Sequence, residues 1–221
     1  MRLSANFTFI EYNSFVAVKF INANIRKKLV RLLFKTLLIY LIICWVFMAV
    51  FFAGRIIERR YFYPLKYKEV VFEYADYYGL SRALVFAVIK TESSFNKNAQ
   101  SNKGAKGLMQ ITDKTAKYIA DKLGIENYDI FDIETNINFG CFYIKYLYNK
   151  FKDIKTALVA YNAGEGNVAL WLLDNAFSDD GKILKEIPFS ESKEYLSKIE
   201  QNFVKYKKLY INILDKSQNI E

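Results

Sequence analysis

Apolar positions follow three patterns along the chain. Residues 37–54, LLIYLIICWVFMAVFFAG, form one unbroken run without a charged residue. Eighteen residues at a helical rise give roughly 27 Å, near the thickness of a hydrocarbon core. From about residue 65 onward the spacing turns helical. KEVVFEYADYYG (68–79) carries apolar residues on one face and ends at Gly79. Ser81 is a candidate cap for a helix to about Ser94, whose centre, ALVFAVI, is apolar almost all round and therefore predicts burial. Asp113 is a candidate cap for a helix through about Leu123, stopped by Gly124. Further helices are predicted over 134–151, 153–162, 165–175 and 191–214, with Pro64 and Pro188 at boundaries. Residues 1–35 mix aromatic and β-branched residues without clean periodicity, and their pattern decides nothing.

The expected architecture is all-α: a helical domain behind a single N-terminal transmembrane helix. The expected segments are a short cytoplasmic region over 1–35, a signal anchor over 36–54, a juxtamembrane linker over 55–66 and the helical domain over 67–221. The run is long for a signal peptide, and no small-x-small cleavage site follows it. Arg26, Lys27, Lys28, Arg31 and Lys35 precede it, whereas Arg55, Arg59 and Arg60 after it are partly offset by Glu58. This asymmetry places the N-terminus inside and the domain outside the cytoplasm.

Charge and composition narrow the chemistry. The formal charge is +9, but residues 1–60 account for +8 of it and residues 61–221 for +1. The basicity therefore flanks the apolar run, which argues for a lipid partner and against nucleic acid. The chain has no histidine. Ser–His–Asp and Cys–His nucleophiles and histidine-bound zinc are excluded, and proton chemistry falls to carboxylates, lysine, tyrosine or cysteine. Cys44 and Cys141 lack metal-ligand spacing, and Cys141 reads as a small buried hydrophobe. No cofactor or metal is expected.

Glu92 lies near the end of the most apolar helix, and Val85, Val88 or Ile89, and Glu92 recur on one face. A carboxyl group in apolar surroundings holds its proton to higher pH, which a general acid on a glycosidic oxygen requires. A lone glutamate at a helix end is more often a solvated surface residue, so the surrounding motifs matter. Gly104 and Gly107 allow close backbone approach, and Gln110, Tyr161 and Asn162 are hydrogen-bonding and stacking residues suited to a sugar cleft.

These motifs resemble the catalytic domain of the soluble lytic transglycosylases, a family related to goose-type lysozyme. A Glu-Ser pair followed by Phe stands at Glu92, Ser93 and Phe95. The Ser-x-x-Gly-Ala-x-Gly-Leu-Met-Gln loop runs from Ser101 to Gln110, and Asn136, Gly140 and Tyr143 match the middle helix. Ala-Tyr-Asn-Ala-Gly spans Ala160 to Gly164, and Pro-Phe-x-Glu-Ser-x-x-Tyr spans Pro188 to Tyr195. One departure is Lys97, where a proline often follows.

The resemblance implies cleavage of peptidoglycan between N-acetylmuramic acid and N-acetylglucosamine, closing a 1,6-anhydro ring, with Glu92 as the single catalytic acid and base. It implies substrate-binding roles for Gln110, Tyr161 and Asn162, and for Tyr143 and Tyr195, for which core packing is the competing role. Ser93 and Ser101 are candidates for binding substrate or for local capping, and Met109 for cleft wall or core. Glu191 is a candidate binding residue with helix capping as its alternative, while Glu165 reads as a solvated turn residue. Two other functions remain open: a hydrolytic muramidase on the same fold, and a non-catalytic peptidoglycan-binding scaffold.

Overall fold

A computed structural model describes residues 4–214, which divide into two compact units meeting between Glu58 and Arg59. The first unit holds α1 (Ser4–Ile57). The aperiodic pattern of residues 1–35 gave no sign that the helix begins so early. Among the described residues, one helical stretch is long and apolar enough to cross a membrane. It spans Ile25–Phe62, and none of its most apolar window is buried.

A π-helical turn over Glu58–Phe62 spans the boundary, with its residues from Arg59 onward in the second unit. Part of the stretch expected to be linker is packed here. Tyr210 donates through its hydroxyl to the carbonyl of Tyr63 at 2.8 Å, and Tyr206 donates to that of Pro64 at 3.2 Å.

Helices α2 (Lys68–Tyr77), α3 (Arg82–Ser93), α4 (Asp113–Leu123) and α5 (Ile133–Phe151) follow, then α6 (Ile154–Ala163), α7 (Glu165–Leu172) and α8 (Ser190–Leu214). The helical, lysozyme-like expectation holds, with one small addition. Strands β1 (Ala105–Lys106) and β2 (Ile111–Thr112) pair antiparallel, Ala105 opposite Thr112 and Lys106 opposite Ile111. Two-residue strands are too short to leave a period in sequence.

Helix α3 is the axis of the main core. Ala83 to Ile89 are all buried, packed by Val71 and Ala75 of α2, Ile137 and Ile144 of α5, and Ile199 and Tyr206 of α8. A second cluster joins Leu147 and Phe151 to Val159 of α6 and Trp171 of α7. Cys141 is fully buried, as its context implied. Helix α8 runs antiparallel along α3, because Tyr195 meets Glu92 while Tyr206 stacks on Phe86, farther back in α3.

The helix ends explain most boundaries. Asp132 and Asp153 accept hydrogen bonds from the amides of Thr135 and Thr156, at 2.9 and 2.7 Å. The cap of α4 is Thr112, whose hydroxyl accepts from Thr115 N. Asp113, expected in that role, is the first helical residue and pairs with Lys106. Ser81 occupies its cap position without a side-chain bond. Helix α7 ends at Leu172 rather than 175, and Gly166 lies inside it, so the turn rests on Gly164 at φ 89°.

Candidate active site

Glu92 sits on the last turn of α3, half-buried. Its Oε1 accepts a hydrogen bond from the Tyr195 hydroxyl at 2.6 Å. Crowding by protein atoms pushes its carboxyl up to about 7, and the Tyr195 hydrogen bond pulls the other way. Near neutral pH the group is therefore poised between acid and carboxylate, the state needed to give and retake one proton. Tyr195 is only 6% exposed, so its side chain holds the carboxyl rather than presenting a free surface to a ligand.

The chain leaves α3 by a strained turn. Ser94 and Phe95 both take positive φ, 50° and 65°. Phe95 is held there because its ring is buried against Phe86. Ser93 donates to the carbonyl of Leu108 at 2.7 Å, tying the 101–110 loop to the helix end beside Glu92. Ser101 turns that loop by accepting from Ala105 N at 3.0 Å. Gln110, at φ 52°, latches it through Nε2 to the carbonyls of Gly107 and Ala99, at 2.8 and 3.2 Å.

Met109 is fully buried and its side chain serves the core. A Cβ on Gly140 would lie 2.2 Å from Met109 Sδ, so that position of α5 has to be bare. The Met109 backbone joins three elements. Its amide donates to Asn136 Oδ1 at 2.7 Å, and its carbonyl accepts from the Tyr161 hydroxyl at 2.7 Å.

Asn136 is the residue that sequence reasoning underrated, quoting it in a motif and giving it no role. It is buried and also donates to the carbonyls of Ile130 and Lys106, at 2.8 and 3.0 Å. A Cβ on Gly107 would lie 2.2 Å from its Nδ2. The available signal was a carboxamide among apolar neighbours on a buried helix, since such a group must find partners.

Tyr143, Tyr161 and Asn162 line one groove of about 450 Å³ with Tyr118, Thr112 and Glu165. The Tyr143 and Tyr146 rings stack 6.0 Å apart, and Tyr143 lies 5.5 Å from Tyr161. Asn162 Oδ1 accepts from the buried Ser192 at 2.7 Å, which fixes the direction of its amide. Glu165 is not the solvated turn residue expected of it. Opening α7, it accepts from Tyr146 at 3.0 Å and Lys150 at 3.1 Å in the groove wall. Glu191 stands apart from the groove lining as an exposed partner of Lys103 at 2.9 Å.

Fold and site together define a helical domain with a half-buried carboxyl whose charge reaches Tyr161 in a tyrosine-lined groove. Residues 69–184, more than half of the chain, match the model of the Transglycosylase SLT domain family, and the chain belongs to that family. The chain is 34% identical over 149 residues to the soluble lytic murein transglycosylase of Escherichia coli (strain K12), covering 65% of this chain and 23% of that protein. It is 35% identical over 150 residues to the membrane-bound lytic murein transglycosylase F of Desulfosudis oleivorans, covering 62% and 32%.

Among solved structures, the complex of the 70-kDa soluble lytic transglycosylase with bulgecin A superposes with a TM-score of 0.59 at 29% identity, over 72% of this chain and 26% of that one. An inactive Glu-to-Gln mutant of the lytic transglycosylase Slt from Pseudomonas aeruginosa gives a TM-score of 0.60 at 29% identity, over 70% and 26%. The chain spans about a quarter of the length of the soluble relatives it matches.

Proposed function

We propose that this protein is a membrane-anchored peptidoglycan lytic transglycosylase that cleaves the β-1,4 bond between N-acetylmuramic acid and N-acetylglucosamine. The observation that carries the reading is Glu92: a half-buried carboxyl on an apolar helix, pushed up to about 7 and gripped by Tyr195, inside the matched family domain. Relatives named soluble and membrane-bound lytic murein transglycosylases support the substrate class.

In the proposed reaction the Glu92 carboxylic acid gives its proton to the glycosidic oxygen. The bond to the muramic anomeric carbon breaks, and the N-acetylglucosamine side leaves as an alcohol. The substrate's N-acetyl oxygen stabilises the cationic carbon, standing in for the second carboxylate of an ordinary glycosidase. Glu92, now a carboxylate, takes the proton of the C6 hydroxyl while that oxygen attacks the anomeric carbon. The 1,6-anhydro ring closes, Glu92 is acid again, and no water is consumed.

Gln110, Tyr161 and Asn162 hold the loop and groove in the shape that receives the glycan, with Tyr143 as an aromatic wall. Ser93, Ser101 and Met109 act through the loop backbone. Tyr195 positions Glu92, and Glu191, outside the groove lining, binds substrate beyond it. Residues 36–54 span the bilayer, 1–35 lie in the cytoplasm, and the domain from 67 onward works outside. Residues 55–66 connect the two.

Purified peptidoglycan digested by the full chain, beside Glu92→Gln, tests this by mass spectrometry of the released fragments. Anhydro-muropeptides that vanish in the variant are expected. Reducing-end products lost in the variant would make the protein a muramidase. Wall binding without release by either protein would make it a scaffold.

A further inference from the structure

The end of the second unit where the chain enters from α1 carries an unusual surface. Arg59 places its guanidinium 5.3 Å over the Tyr210 ring and donates to the Leu209 carbonyl. Tyr210 donates to the carbonyls of Arg59 and Tyr63. These contacts clasp residues 59–63 to the last turns of α8, whose Leu209 and Leu214 stay buried while other side chains face outward. Tyr61 is 70% exposed, Phe62 59% and Ile211 57%. Val204, Lys207 and Lys208 share an exposed face at helical spacing, and Ile211 and Ile213 follow beyond the break at Tyr210. Across 58–62 and 204–214 the sequence holds five lysines and arginines and one carboxylate, Glu58.

Exposed aromatic and aliphatic groups set among cations suit one environment in particular, the headgroup region of an anionic bilayer. There the rings and stems enter the interface while the charges meet phosphates. The same end is one residue from Ile57, the last residue of α1. In sequence, four residues lie between the proposed span, which ends at residue 54, and Arg59 of the clasp.

We propose that this end of the domain is a lipid-binding surface that seats the domain on an anionic bilayer. The inference rests on the membrane-anchor reading of α1 and adds a second contact outside it.

The test uses the full chain, one copy per nanodisc, with quenchers in the lipid headgroup region. A fluorophore is placed at Ile211→Cys in a Cys44→Ser background, since Cys141 is fully buried. Matching labels stand at Leu173→Cys, an exposed position after α7, and at Ala53→Cys in the apolar run. On discs containing phosphatidylglycerol the Ile211 label is expected to be quenched about threefold more than the Leu173 label. That excess should fall at high salt or with Lys207→Glu/Lys208→Glu.

Equal quenching at Ile211 and Leu173, with Ala53 strongly quenched, would overturn this inference and leave the anchor in place. An unquenched Ala53 would instead remove the anchor reading. An Ile211 excess of the same size on discs without anionic lipid, unchanged by salt, would also overturn the anionic-lipid proposal.

Discussion

The central stretches of α1 and α3 have nearly the same side chains and opposite fates. LLIYLIICWVFMAV in α1 is exposed along almost its whole length, whereas every residue from Ala83 to Ile89 in α3 is buried. Both lack a polar stripe, and a helix apolar all round must be surrounded by something apolar. For α3 that surrounding is the rest of the domain, contributed by α2, α5 and α8. None of the most apolar window of α1 is buried, and by length and composition the helix is able to cross a bilayer. Glu92 belongs to this comparison. It inherits the apolar environment of α3 at the point where the helix emerges, which raises its proton affinity.

A charge placed in each helix separates the two fates most strongly. Val88→Asp buries an unpaired carboxylate at a fully enclosed site. It should cost about 4 kcal/mol or more, seen as loss of the cooperative melt. Val46→Asp in α1 should leave the melting of the domain unchanged and instead reduce retention in carbonate-washed membranes.

The next effect tests what burial costs Glu92. A carboxyl with a raised folded pKa contributes most below its unfolded value of 4.5, and that contribution is lost as pH rises through about 7. Glu92→Gln carries no such charge. Above about pH 8 the variant should therefore be more stable than the parent by about 3 kcal/mol. At pH 4 the difference should nearly vanish. Urea denaturation at the two pH values measures it.

Tyr195→Phe asks whether Tyr195 positions Glu92 or merely packs. The hydrogen bond favours the carboxylate, so its loss raises the proton affinity of Glu92. The alkaline limb of the activity profile should move up by about one pH unit, with kcat lowered and KM little changed. A loss through packing alone would leave the limb where it was.

The smallest effect lies far from the comparison. Asp132→Ala removes the cap of α5 and should cost about 1 kcal/mol at pH 7. Its carboxyl lies below the usual range because the Thr135 amide favours the charged form. The parent's advantage is therefore present above the unfolded pKa and disappears as pH falls through the folded one.

Much of this was legible in the sequence because it is local. The apolar run, the buried centre of α3, the cap position at Ser81 and the ordered motifs all lie within a few residues of their cause. What was illegible is long-range. Tyr195 is far from Glu92 in sequence, and only the antiparallel course of α8 along α3 brings its hydroxyl to 2.6 Å from the carboxyl. Asn136 looked like one polar residue in a helix until the 101–110 loop folded over it. Thr112 displaced Asp113 as a cap because β2 sets where the helix can begin. Glu165 acquired partners from α5 that no local pattern announces.

The central claim is that the apolar setting of α3 keeps a proton on Glu92 near neutral pH. Carbon-13 NMR of glutamate-labelled protein, titrated across the acid and neutral range and assigned by difference from Glu92→Gln, measures that directly. The account predicts one side-chain carboxyl resonance titrating near 7 that is absent from the variant. A Glu92 resonance titrating in the ordinary carboxylate range, with every other glutamate, would contradict it.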